Sequence, residues 1–190
     1  MKKLTTLLTL MAGVGIALSQ GIVNFNNNGV PTPPDHKVYF DFVGHLPGVV
    51  GTNYLAELYY VDPADSVLKP VAVSISKFRV TSTGSPGTWS GKTVTFPAGI
   101  GGVNTPVTLV VRAWDSLIAA SYESALAACG GYIGESNPFT YTQIISTPVP
   151  QTTDTQMVNM PAFALTVPEP SAIALSVIGV AGLLFLRRRK

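Results

Sequence analysis

Val107-Thr108-Leu109-Val110-Val111-Arg112-Ala113-Trp114-Asp115 decides the fold class. Successive strand residues point to opposite sides of a sheet, so Val107, Leu109, Val111 and Ala113 share one face and Thr108, Val110, Arg112 and Trp114 the other. Both faces are largely apolar, and Val and Trp favour strands. The stretch therefore predicts a central strand, covered on both sides.

Short strand signals flank it on either side. Residues 22–26 precede an Asn27-Asn28-Gly29 turn. Val38, Phe40 and Phe42 alternate with Tyr39, Asp41 and Val43. Residues 54–61 mix helix formers with three tyrosines, but eight residues ending at Asp62-Pro63 favour a strand. Residues 70–75 alternate and continue in 78–80 with a phase change near Ser76, which predicts a bulge or two strands. Trp89 with 94–96, then 139–145 and 160–167, complete the set. Residues 82–87, 97–106 and 146–154 are rich in Gly, Pro, Ser or Thr and predict turns and loops.

One helix is predicted over 121–130. Ser121 caps it, Glu123 suits its positive end, and Gly130 can end it. Tyr122, Ala125, Leu126 and Cys129 share one apolar face. The expected architecture is all-β: an antiparallel two-sheet β-sandwich, Ig-like or jelly-roll-like, of seven to nine strands with one short helix. An open α+β arrangement is the alternative.

Both ends of the chain are targeting segments. Met1-Lys2-Lys3 and an apolar stretch over 4–18 precede Ala17-Leu18-Ser19, whose small residues suit cleavage before Gln20. This is a signal peptide over 1–19, a substrate for signal peptidase. At the other end, Val167-Pro168-Glu169-Pro170-Ser171 leads into an uncharged stretch over 172–186, then Arg187, Arg188, Arg189 and Lys190. A helix over 171–186 covers roughly 24 Å, a short transmembrane span helped by snorkelling of its basic end. The basic cluster places that end in the cytoplasm. The chain thus divides into a signal peptide at 1–19, an exported domain at 20–166 and a tail at 167–190.

This division changes the reading of charge. The formal charge of the 190 residues is +2, but six of the twelve Lys and Arg lie in the targeting segments. Residues 20–167 keep six cations against nine acids, a charge of −3. Nucleic acid is therefore not an expected partner. Cys129 is the only cysteine, so an exported domain has no internal disulfide and must stand on its core.

The order Val-Pro-Glu-Pro, short apolar helix and terminal Arg cluster resembles the PEP-CTERM sorting signal of Gram-negative bacteria. The resemblance implies recognition of Pro168, Glu169 and Pro170 by an exosortase, and removal of the tail near that motif during sorting to the cell surface. The middle of the chain also resembles extracellular domains carried by many such proteins. The residues concerned are Ala56-Glu57-Leu58-Tyr59-Tyr60, Val111-Arg112-Ala113-Trp114-Asp115, Ser121-Tyr122-Glu123 and Gly134-Glu135-Ser136. That resemblance implies a recurring surface domain and transfers no activity.

Chemistry is sparse. His36 and His45 are the only histidines, and neither has a second ligand at metal-binding spacing, so neither metal nor cofactor is expected. Pro33-Pro34-Asp35-His36-Lys37 predicts an exposed loop rather than an acid–base pair. Asp62 and Asp65 offer at most a loose Ca²⁺ site. Asp115 and Glu123 are the two carboxylates that could serve glycoside hydrolysis. Trp89 and Trp114 could stack on sugar rings. The expected function is a non-enzymatic surface protein, structural or adhesive within an extracellular polysaccharide layer. A carbohydrate-binding module is the alternative, with a glycoside hydrolase behind it.

Overall fold

In a computed structural model of the chain, residues 21–30, 35–40, 47–80, 85–102, 104–128, 130–142 and 157–168 are described. The expected signal peptide with Ala17 and Ser19, Glu169 and Pro170 of the sorting motif, the apolar segment, Arg187, Arg188, Arg189, Lys190, His45 and Cys129 lie outside them.

The described chain is mostly strand, with one short helix and several sheets. The elements are β1 (Ile22–Phe25), β2 (Val38–Tyr39), β3 (Tyr54–Val61), β4 (Leu68–Pro70), β5 (Ser76–Lys77), β6 (Lys92–Thr95), β7 (Pro106–Asp115), α1 (Tyr122–Ala128), β8 (Ile133–Glu135), β9 (Phe139–Thr142) and β10 (Phe163–Ala164). Six strands form one sheet in the order β4-β3-β7-β8, with β5 also on β3 and β9 also on β7. As its two-sided burial predicts, β7 is central: it pairs with β3, β8 and β9. Two further sheets are the antiparallel pair β1–β6 and the parallel pair β10–β2. The parallel pair departs from the purely antiparallel expectation.

Two serines shape the six-stranded sheet. Leu58 of β3 and Val111 of β7 are register partners. The Leu58 N–H donates to Ser74 Oγ at 3.1 Å, and the Val111 N–H donates to Ser136 Oγ at 3.0 Å. On each edge the neighbouring chain bulges away, and a hydroxyl replaces the missing carbonyl partner. This corrects the strand expected over 70–75. The chain turns there instead, with Ser74 N bonded to Val71 O and Val73 exposed at φ +58°, a strained conformation for a β-branched residue.

One core joins the three sheets. Val23 and Phe25, Val94, Val38, Phe163, then Ala56, Leu58, Tyr60, Val107, Leu109, Val111, Ala113, Phe139 and Tyr141 belong to one buried cluster. Trp89 lies within it against Phe25 and Phe78, at ring centroid distances of 4.9 and 5.8 Å. Its indole N–H donates to Phe25 O at 3.2 Å. Each fully buried large side chain of this kind contributes about 2–3 kcal/mol. A smaller cluster of Trp114, Tyr122, Ala125 and Ile133 lies under α1 on the opposite face of β7. Ser121 caps α1, accepting from the Ser124 N–H at 3.3 Å. Leu126, expected on the apolar face, is exposed; Tyr122 and Ala125 alone fill the shallow contact under a helix this short.

Candidate functional site: the Arg112 cluster and the tail exit

The four stretches that carry the resemblance in the middle of the chain converge on Arg112. Register sets Glu57 of β3 opposite Arg112 of β7, and Glu135 of β8 opposite it on the other side. All three project from the face that carries α1. Arg112 Nε donates to Glu135 Oε2 at 2.5 Å, and a terminal guanidinium nitrogen donates to Glu123 Oε1 of α1 at 3.1 Å. The guanidinium lies over the rings of Tyr59 and Tyr122, 4.5 and 4.8 Å from their centroids. Such stacking on aromatic faces suits the planar, weakly hydrated Arg side chain.

Tyr59 links the carboxylates. Its hydroxyl lies 2.9 Å from Glu123 Oε1 and 3.1 Å from Glu57 Oε2. One hydroxyl holds one proton, so it donates to one carboxylate at a time. Burial lifts the Glu57 carboxyl above its ordinary range, opposed by the Tyr59 hydrogen bond and helped by the charge of Glu123. Burial and the charge of Glu57 also raise the Tyr59 hydroxyl. Burial alone would lower Arg112, but the bond and charge of Glu135 hold it above its usual value. The arrangement fixes α1 onto the sheet by spending these polar groups on one another.

The other expected site residues sit elsewhere. Trp89 and Trp114 are both 0% exposed, so neither ring offers a face to a sugar. This corrects the reading of them as stacking platforms: their alternating positions carry them inward, Trp89 into the main core and Trp114 under α1. Asp115 accepts from the Leu117 N–H at 2.9 Å and shapes the turn after β7, whereas Glu123 binds Arg112 and Tyr59. The two carboxylates thus serve different partners. Asp62 and Asp65 both bind Lys69, at 2.6 and 2.8 Å, so an ammonium occupies the place considered for Ca²⁺.

His36 is a further correction. It is 2% exposed, not part of an exposed loop. Its Nδ1 lies 2.6 Å from the Met160 carbonyl, which can only accept, so Nδ1 carries the proton. Asp35 instead accepts from the Tyr39 hydroxyl at 2.5 Å; burial and then Asp35 push that hydroxyl up to about 12. Asn27, expected only in a turn, is a buried hub. Its amide donates to His36 O and Gly87 O, at 2.9 and 2.8 Å, and accepts from the Trp89 N–H at 3.1 Å.

The chain leaves this body through a pinned strap. Phe163 N donates to Lys37 O and Leu165 N to Tyr39 O, at 3.3 and 2.7 Å. Thr166 then forms an antiparallel bridge with Ile133, with N–H to carbonyl bonds of 2.9 and 2.8 Å in the two directions. Gly134 lets the strap come this close: a Cβ there would lie 2.3 Å from Ala164 O. The antiparallel direction of the bridge carries Val167 toward Tyr132 and Pro168, which is partly buried, toward Gly131. The first residue of the sorting motif therefore lies against the folded sheet edge.

The family model of the PEP-CTERM protein-sorting motif matches residues 166–190. The chain carries this sorting motif, and the motif implies export, processing by an exosortase and sorting to the cell surface. No curated protein and no solved structure matches the chain. Among the described residues no helix is long and apolar enough to cross a membrane; the apolar segment over 172–186 lies outside them.

Proposed function

We propose that residues 20–166 form a β-sandwich domain that acts at the cell surface as a structural or adhesive, non-catalytic component of the extracellular polysaccharide layer. The core shared by the six-stranded sheet and the two small sheets supports the sandwich architecture. The mutual bonding within the Arg112 cluster supports a structural role for its carboxylates. Signal peptidase removes 1–19, and before sorting the domain is held outside the inner membrane by the helix over 171–186, with Arg187 to Lys190 inside. Pro168, Glu169 and Pro170 are the residues gripped by the exosortase.

The observation that carries this reading is contiguity. The sorting motif matches from residue 166, and Thr166 is also bonded to the sheet edge through Ile133. The tail is an address attached directly to a folded cargo.

The test is the intact mass of the native protein from fractionated cells. The expected species lacks residues 1–19 and everything beyond the Pro-Glu-Pro motif. A mass that retains 172–190 in the membrane fraction would make the tail a permanent anchor and overturn the processing step. For the role itself, the expected result is co-isolation of the mature domain with extracellular polysaccharide; free release into the medium would refute it.

A further inference from the structure

The tail exit is flanked by apolar side chains that the domain leaves partly uncovered, Tyr132 packing one edge against Phe40 and Tyr54. Leu117 and Ile118, in the turn after β7, are 78% and 43% exposed; Tyr132 and Val167 are 37% and 46% exposed. They form one rim. Asp115 N bonds to Tyr132 O at 3.0 Å, which joins the turn to the entry of β8. Ile118 packs beside Gly131, where a Cβ would lie 2.5 Å from Ile118 Cγ1. The Ile133–Thr166 bridge carries Val167 toward Tyr132. A soluble protein gains nothing by exposing neighbouring Leu, Ile, Tyr and Val side chains, and such a patch marks an interaction surface.

The length of chain beyond the rim says what covers it. Pro168 lies against the sheet edge, and the apolar stretch begins after Ser171, so three residues (169–171) connect them. Fully extended, three residues span at most about 10 Å. The headgroup layer on one side of a bilayer is about 5–7 Å thick. Even fully extended, the tether clears that layer by only about 3–5 Å, less than the reach of a Leu or Tyr side chain, so the domain end that carries it stays at the lipid surface.

We infer that the rim of Leu117, Ile118, Tyr132 and Val167 is the membrane-facing surface of the unprocessed protein, lying in the headgroup layer of the bilayer that holds the tail. This rests on reading 171–186 as a membrane helix. Tyr132 has the amphipathic ring that favours that depth, and Leu117 is the most exposed of the four residues. The domain carries net negative charge, so the contact is apolar and persists in salt. Processing releases the rim, because the tether that holds it down is lost with the tail.

The test uses the full chain with Cys129→Ser and a protease site between Ser19 and Gln20, reconstituted into phosphatidylcholine vesicles and cut at that site. A fluorophore is placed at Leu117→Cys or, as a control, at Val67→Cys in the β3–β4 turn at the opposite end of the sheet. Both positions are exposed, so neither label disturbs the core. Lipid-borne nitroxide quenchers are expected to quench the label at 117 at least about threefold more than the label at 67, as for groups seated some 5–10 Å into the interface, at low and high salt alike. Vesicles that float with the protein but quench both labels equally would overturn the rim's role and leave the anchor intact. A chain that fails to float after the cut would instead refute the membrane helix, and the proposed surface with it. Quenching at 117 that appears only when an exosortase is added would assign the rim to the enzyme rather than to lipid, and would also overturn the proposal.

Discussion

At one end of the six-stranded sheet the β3–β4 turn carries Asp62, Asp65 and Lys69; at the other, the turn after β7 and the entry to β8 carry Leu117, Ile118 and Tyr132. The polar turn satisfies itself. Lys69 binds both aspartates, Asp62 Oδ1 accepts from the Ala64 N–H, and Asp65 Oδ1 accepts from the Val67 N–H. The apolar end closes its backbone in the same way, with Asp115 Oδ1 accepting from the Leu117 N–H, but it leaves Leu117, Ile118 and Tyr132 partly exposed and receives the chain that leads to the sorting motif. The N-terminal junction enters at the polar end, where Gly21 N bonds to Ile100 O beside Val61 and Val107. The eight residues of β3 separate the two ends by roughly 23 Å. The proposed signal peptide and the sorting tail therefore join the domain at opposite ends of the sheet.

The largest expected effect is at the strap. Gly134→Ala places a methyl group 2.3 Å from the Ala164 carbonyl and 2.9 Å from Leu165 Cδ2. The backbone must shift, at a cost of about 3 kcal/mol. Urea denaturation should show that loss, and limited proteolysis should cut within 157–168. An unchanged midpoint with an uncut strap would mean the tail exit is not fixed as described.

A smaller effect lies midway between the ends, at Glu57. Its folded-state pKa is raised above the ordinary 4.5, so the folded protein holds this proton more tightly than the unfolded chain. Its contribution is fully present below about pH 4.5 and is lost as pH rises through the folded-state value. Glu57→Gln should flatten that part of the stability–pH profile and gain less than about 1 kcal/mol at neutral pH, since Glu57 is only half-buried. Parallel urea titrations of the two proteins across this range test the sign; a wild type that gains stability on rising through it would reverse the argument.

The smallest effect is at the polar end. Lys69→Met removes two exposed ion pairs that compete with water and salt. The melting temperature should be unchanged at physiological ionic strength, and a clear drop would show that this turn depends on its charges more than its exposure allows.

Much of the fold was legible in the sequence. The alternation over 107–115 identified the central strand, the eight residues before Asp62-Pro63 gave β3, and Ser121 marked the start of the helix, because these signals are local. The strand expected over 70–75 failed because Ser74 could spend its hydroxyl on Leu58, which no pattern of apolar residues reveals. The tryptophans failed as a binding site because alternation tells which residues share a face, not whether that face is covered. Arg112 was visible as a strand residue, but its cluster was not. Glu57, Glu123 and Glu135 reach it only through strand register and the placement of α1.

Sequence alone carried the address: an expected signal peptide from charge and hydropathy, and a PEP-CTERM tail, which the family model matches, from residues in unbroken order. Both are recognised as linear segments, so their information is complete in one dimension. Only the tertiary structure decided that Trp89 and Trp114 are interior, that Arg112 gathers its carboxylates, and that Thr166 is bonded to Ile133 at the edge of the sheet. Those facts depend on pairings between residues far apart in the chain, whose register is set by the packing of the whole core.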